Sequence, residues 1–136
     1  MEHVSLKVLI GLCAWTLFLL ILMEALRTRL VFAKMVPANA FKPDNSNLSP
    51  FMQRLARAHA NCIENLPIFG ILLLAAISTG RTGVTDPLAP WLLVARIIQS
   101  SVHLASLSVG AVTVRFVAFG VQIAIAVYWA FALFEG

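Results

Sequence analysis

The feature that most constrains this chain is a pair of long segments without a charged side chain. One runs from Val8 to Met23 and the other from Phe116 to Phe134. Hydrophobic residues make up 60% of the chain and charged residues only 12%, with a mean hydropathy of +0.90, so too little polar surface exists to cover a water-soluble globule. Since a spanning helix needs about 20 apolar residues, the two segments predict an integral membrane protein.

The 136 residues leave room for about four such helices once the loops are subtracted. We expect an all-α fold, a four-transmembrane-helix bundle that forms a single domain over residues 1–136. Its helices are predicted at about residues 4–25, 51–78, 88–107 and 113–134. Ser49 and Pro50 are typical of the start of the second helix. The segment after Glu24 is rich in proline, asparagine and cations, which predicts an exposed loop, and residues 79–86 predict a tight turn.

The cations are distributed unevenly between the two ends of the predicted bundle. The first loop, the neighbouring helix ends and the third connection carry Arg27, Arg29, Lys34, Lys42, Arg54, Arg57 and Arg115. The opposite side has Lys7 and Arg81, offset by Glu2, Asp86 and Glu135. Because cytoplasmic loops are enriched in Lys and Arg, loops one and three are predicted to be cytoplasmic and both termini outside. The compact loops favour a bacterial inner membrane. No nucleic-acid partner is expected.

Polar side chains inside the predicted spans form two stripes. At 100 degrees per residue, one stripe on the second helix occupies a sector of about 80 degrees and consists of Arg54, Arg57, Asn61 and Glu64. The other follows an i, i+3, i+4, i+7 pattern on the third helix and consists of Arg96, Gln99, Ser100 and His103. An ionisable group in hydrocarbon costs from about 2.5 kcal/mol upward, so these groups should face a protein interior or a water-filled cavity.

Two interpretations of the stripes stay open. In the structural one, Arg96 pairs with Glu64 between helices, while the arginines near the helix ends anchor the protein at the interface. In the functional one, the stripes line a polar cleft, open to the cytoplasm, that binds a small zwitterionic or anionic ligand. For His103, ligand contact and structural hydrogen bonding are both consistent with the pattern.

Neither cysteine predicts a disulfide or a metal site. Cys13 and Cys62 lie in apolar runs without CxxC spacing, so both are expected to be small buried hydrophobic residues. The chain has no His-x3-His and no carboxylate–His motif, and we therefore expect no metal ion.

The stretch from Arg57 to Pro67 resembles the signature of the MAPEG family, the membrane-associated proteins in eicosanoid and glutathione metabolism. The arginine, asparagine, glutamate and proline of that signature are matched here by Arg57, Asn61, Glu64 and Pro67. Arg96 matches the arginine of the family's third helix, and Arg115 looks like the arginine that opens its fourth. The resemblance covers the whole chain.

The resemblance implies a homotrimer that binds glutathione between subunits, near the cytoplasmic side. It implies a membrane-bound glutathione transferase for detoxification, with peroxidase activity as an additional option. Carried onto this sequence, Arg57, Asn61 and Glu64 would hold glutathione, and Arg115 would be the catalytic residue beside the sulfur. To the binding residues we add three further members of the stripes, Arg96, His103 and Arg54. The second substrate is expected to be a hydrophobic electrophile or a lipid that arrives through the membrane lipids, with apolar contacts near Arg115 from Val112, Phe116 and Phe119.

Some residues depart from the eicosanoid-forming members. His103 stands where those members have a tyrosine on the third helix, and Gln99 stands at the preceding histidine or tyrosine position. The one tyrosine of the chain, Tyr128, is remote in sequence. Activation of the thiol by a phenol is therefore not expected. Two alternatives to the transferase remain. One is a non-catalytic lipid-binding or scaffold protein of the same fold. The other is a four-helix exporter, which would place a carboxylate in the middle of the first helix, whereas Glu24 lies at its end.

Overall fold

A computed structural model describes residues 3–136, and the expected all-helical fold class is confirmed for this part of the chain. Its helices are α1 (Val4–Phe32), α2 (Pro50–Ser78), α3 (Thr82–Thr85), α4 (Ala89–Ala105) and α5 (Val109–Glu135). Three of them, α1, α2 and α5, are long and apolar enough to cross a membrane, whereas α4 has 17 residues. The protein is an integral membrane protein. Glu2, which the charge balance included, lies outside the described residues.

The two ends of the chain meet the α2–α4 connection at one end of the bundle. The Asp86 carboxylate accepts hydrogen bonds from the Ser5 backbone N–H at 3.0 Å and from the Ser5 hydroxyl at 2.5 Å. Arg81 donates to the carbonyls of Leu133 at 2.6 Å and Ala132 at 2.8 Å. An anion thus lies at the start of α1 and a cation at the end of α5, and both charges interact favourably with the helix dipole. Both side chains also bind backbone groups that have no partner within the helix.

At the other end of the bundle, Asn45 organises the loop between α1 and α2. Arg27 donates to the Asn45 Oδ1 at 3.0 and 2.6 Å, and the Asn45 Nδ2 donates to the Met52 carbonyl at 2.7 Å. Asn45 is fully buried and has a φ of +56°. Asparagine tolerates this left-handed conformation better than most residues. The predicted exposed loop is therefore ordered by a buried side chain, although most of its residues are exposed.

The first helix is longer than predicted and ends at Phe32 rather than near residue 25. Its final turns contain good helix-forming residues and an ion pair of 3.0 Å between Glu24 and Arg27, which supports the helix past the charged residues. The helix ends in a Schellman turn, in which Lys34 has a φ of +58° and the Met35 N–H donates to the Leu30 carbonyl at 3.0 Å.

The later helix boundaries also differ from the prediction for local reasons. The last long helix, α5, begins at Val109 rather than near residue 113, because the Ser108 hydroxyl accepts from the Ala111 N–H at 3.2 Å and caps the first turn. The predicted turn over residues 79–86 contains the short helix α3. It follows Gly80, whose φ of +69° ends α2 in a second Schellman turn.

Two apolar clusters fill the bundle, and a polar layer lies between them along the helices. Packing is closest between α1 and α2 and between α4 and α5, while α2 and α4 contact each other and bridge the two pairs. The cluster near the chain termini contains Val8, Leu12, Phe69, Leu73, Ala89, Leu92, Ile125, Ala126 and Trp129. The cluster near the first loop contains Leu19, Met23, Met52, Leu55, Ala56 and Cys62.

Candidate functional site

A chain of hydrogen bonds connects α2, α4 and α5 in the polar layer. The Asn61 Oδ1 accepts from the Arg96 Nη1 at 2.5 Å and from the Gln99 Nε2 at 3.1 Å. The Gln99 Oε1 in turn accepts from the Gln122 Nε2 at 2.8 Å. Gln122 was not among the predicted site residues. Its signal in the sequence was that it is the one strongly polar side chain in an otherwise apolar segment.

Arg96 is held by a neutral amide and not by a carboxylate. It is 3% exposed, its guanidinium lies 5.9 Å from the centre of the Phe69 ring, and its Nη1 lies 3.8 Å from the Cys62 Sγ. The Arg96–Glu64 pair of the structural interpretation is not formed, because Glu64 is exposed and the ion pair found in residues 3–136 joins Glu24 and Arg27. Arg96 therefore positions Asn61 from inside the bundle.

His103 lies within electrostatic range of three arginines, and we call these four residues the arginine cluster. Arg115 of α5 and Arg57 and Arg54 of α2 lie close enough to act electrostatically on the buried imidazole of α4. The Nε of Arg115 and the Nε2 of His103 are both buried and have no hydrogen-bond partner among the described residues. An unsatisfied buried donor beside a group of cations favours an anionic guest.

The members of the arginine cluster are not equivalent. The Arg54 Nε donates to the Leu104 carbonyl at 3.0 Å, in the last turn of α4, and its guanidinium lies 6.0 Å from the centre of the Phe51 ring. Arg54 thus satisfies a helix end. For Arg57, in contrast, no hydrogen bond or ion pair is found within residues 3–136, and its side chain is exposed.

Glu64 shares the outer face of α2 with Arg57. It too is exposed and has no ion-pair partner in the described part of the chain. The two residues are seven positions apart, which corresponds to about 10 Å along the helix. The predicted stripe on α2 is thus divided, with Arg54 and Asn61 bonded to α4 while Arg57 and Glu64 face out of the single chain.

The apolar and sulfur-containing residues near the site take varied positions. Phe116, which we expected near the second substrate, is 77% exposed on α5, and Tyr128 is 53% exposed. Cys62 is buried as predicted, whereas Cys13 is exposed, because the outer face of α1 is not covered by another helix of the chain. Residues 3–136 bring no three His, Cys, Asp or Glu side chains together as a metal site would require.

A family model described as the MAPEG family matches residues 5–134 of the chain. This match covers nearly the full length, and with it the polar layer and the arginine cluster. The resemblance of the α2 signature is thereby confirmed. Comparisons with the curated proteins and with the solved structures gave no match.

Proposed function

Because the chain belongs to the MAPEG family, we propose that it is a membrane-bound glutathione transferase that conjugates the glutathione thiolate to lipophilic electrophiles. The family includes glutathione transferases as well as non-enzymatic members, so the activity has to be argued from the site. One observation carries the proposal. It is the buried Nε–H of Arg115, which has no hydrogen-bond partner and no carboxylate partner within the described residues.

The chemistry of the arginine cluster suits a thiol that must be ionised. A free thiol has a pKa of about 8.5, and only the thiolate is a good nucleophile. The guanidinium of Arg115 would stabilise the sulfur anion. A depression of the thiol pKa by two units requires about 2.7 kcal/mol, which one charge-assisted contact in a partly desolvated site can supply. No general base is needed if the proton leaves to water.

The outer face of α2 supports a site that is shared between copies of the chain. Arg57 and Glu64 are exposed there, and each charge would cost from about 2.5 kcal/mol upward if it faced lipid. A homotrimer would cover this face. Arg57 would bind a carboxylate of glutathione and Glu64 its ammonium group, with Asn61 in reach of an amide. Arg57 and Glu64 are about 10 Å apart along the helix, so glutathione in a bent form would contact both.

We place the site near the cytoplasmic side of a four-span protein, in a bacterial inner membrane. The α4 helix supports the fourth crossing, because its two ends lie at opposite ends of the bundle. It starts beside the connection that holds Asp86 and ends at Ala105, next to the Leu104 carbonyl that Arg54 contacts. The cations of loops one and three support a cytoplasmic position for those loops, with both termini outside. The hydrophobic second substrate would reach the site from the bilayer, past the exposed Phe116 of α5.

The test is to replace Arg115 by alanine in detergent-purified protein and to measure conjugation of a nitroaryl chloride. At pH 7, a return of the thiol pKa from about 6.5 to 8.5 lowers the thiolate fraction about 25-fold, and we expect the rate at saturating glutathione to fall by about this factor. Calorimetry should show that glutathione still binds. Lys42→Ala is the matched control, because Lys42 is an exposed loop residue. Full activity of Arg115→Ala would refute the assigned role.

The second candidate is a non-catalytic lipid-binding or scaffold protein of the same fold. The observation in its favour is the large exposed apolar surface of α5, where Phe116, Phe131 and Phe134 are 77%, 68% and 91% exposed. It predicts that glutathione binds without a thiolate signal in ultraviolet difference spectra and without turnover of any electrophile. A thiolate signal that Arg115→Ala abolishes would decide for the transferase.

A further inference from the structure

A groove of about 600 Å³ lies between the end of α1 and the start of α2, and the residues of the arginine cluster do not line it. Its walls are mostly apolar, formed by side chains such as Leu26, Leu30 and Leu48. This volume is within the range of small-molecule sites, about 300–1,000 Å³. The groove is thus large enough for a ligand and separate from the proposed glutathione site.

One free cation faces this groove. Arg29 lines it, is exposed, and has no hydrogen bond or ion pair within residues 3–136. The other polar groups of the wall are already engaged. Asn47 donates to the Ala40 carbonyl at 3.0 Å, and the Ser49 hydroxyl accepts from the Met52 N–H at 3.3 Å. The groove therefore offers a single positive charge beside an apolar surface, which is complementary to an amphiphile with an anionic head.

The position of the groove along α1 indicates where such an amphiphile comes from. The uncharged segment of α1 ends at Met23, and Arg29 lies about 9 Å further along the helix, where lipid headgroups begin. Beyond this point two large apolar side chains are still exposed, Phe32 at 81% and Met35 at 72%. The Schellman turn at Lys34 joins Met35 to Leu30, and both residues line the groove. These side chains suit acyl chains at the membrane surface and not water.

We propose that this groove binds one anionic phospholipid of the surrounding bilayer. The Arg29 guanidinium holds the headgroup phosphate, for which its planar donors are well suited. The upper part of an acyl chain lies against Leu30, Met35 and Leu48. The Asn45-centred contacts keep the loop folded over α1, so the groove exists before the lipid arrives. The site does not depend on the proposed transferase activity.

The experiment is native mass spectrometry of protein released from nanodiscs that contain equal amounts of phosphatidylglycerol and phosphatidylcholine. We expect the wild type to retain phosphatidylglycerol about fivefold better, the factor expected for one cation near a membrane surface. Arg29→Gln should bring the two lipids to similar retention. Lys42→Gln removes an equal charge from the loop that follows α1, outside the groove, and should keep the preference. Leu48→Trp should reduce retention of both lipids by filling the groove, with circular dichroism as a check of folding.

Three results would overturn the proposal. The first is equal retention of the two lipids by the wild type, or a preference that survives Arg29→Gln. The second is displacement of the lipid by millimolar inorganic phosphate, which would show that the site recognises the phosphate and not the acyl chain. The third is a loss of chemical cross-linking between copies in Arg29→Gln with unchanged lipid retention, which would show that a second copy covers the groove. Transferase activity is measured in parallel, and it is expected to be the same in Arg29→Gln and in the wild type.

Discussion

Replacement of Asn61 by leucine should destabilise the protein more than any other single change in the polar layer. The Asn61 Oδ1 accepts one hydrogen bond from a charged donor, Arg96, and one from a neutral donor, Gln99. Bonds of these two kinds contribute about 1.5–3 and about 1 kcal/mol. Arg96 is 3% exposed and its Nη2 already lacks a partner, so it cannot regain a bond to water in place. We expect a loss of about 3 kcal/mol.

The assay is thermal unfolding in detergent without glutathione, so that stability is measured apart from ligand binding. For a chain of this size the loss corresponds to a fall in Tm of about 10 °C. Asn65→Ala is the matched control, because Asn65 lies one turn away and donates only to the Asn61 carbonyl of its own helix, at 2.8 Å. The double variant Asn61→Leu with Arg96→Leu should recover part of the loss. If Asn61→Leu cost no more than Asn65→Ala, the network would not hold the bundle together.

The remaining predictions concern the end of the bundle that holds the chain termini. Asp86→Ala removes the acceptor of the Ser5 N–H and the anion at the start of α1. It should therefore lower stability by about 1 kcal/mol and speed amide hydrogen exchange in the first turn of α1. Unchanged exchange would contradict this. Arg81→Ala should speed exchange in the last turn of α5 and leave the first turn of α1 protected. Gly80→Ala should lower stability by about 1 kcal/mol, because the φ of Gly80 is +69°, whereas Gly120→Ala should raise stability by up to about 1 kcal/mol. Neither added Cβ would have an atom within 4 Å, so the two variants differ in backbone conformation and not in steric contacts. Equal melting temperatures of the two variants would refute this argument.

Much of the fold could be predicted because a membrane restricts the options. Long uncharged segments can only become helices there, because helices satisfy every backbone polar group within the segment. The contacts at the helix ends were harder to predict, because they join residues that are distant in the sequence. Asp86 and Arg81 looked like ordinary loop charges in the sequence, yet they bind Ser5 and Leu133, 81 and 52 positions away. Asn45 looked like a turn residue and is fully buried.

The stripe on α2 shows how far periodicity can go in predicting a site. In helical projection Arg54 and Asn61 lie within about 20 degrees of each other, and Arg57 and Glu64 lie about 40–80 degrees further round. The sequence places all four residues on one side of α2, and the structure agrees with this within the sector of about 80 degrees. The structure puts the edge of the α2–α4 contact between the two pairs, so the first pair binds α4 and the second is exposed. The position of that edge depends on how α4 packs against α2, and the sequence of α2 alone does not determine this packing. The inner pair holds α2 on α4, and under the proposed function the outer pair would be the one that contacts glutathione and a neighbouring copy.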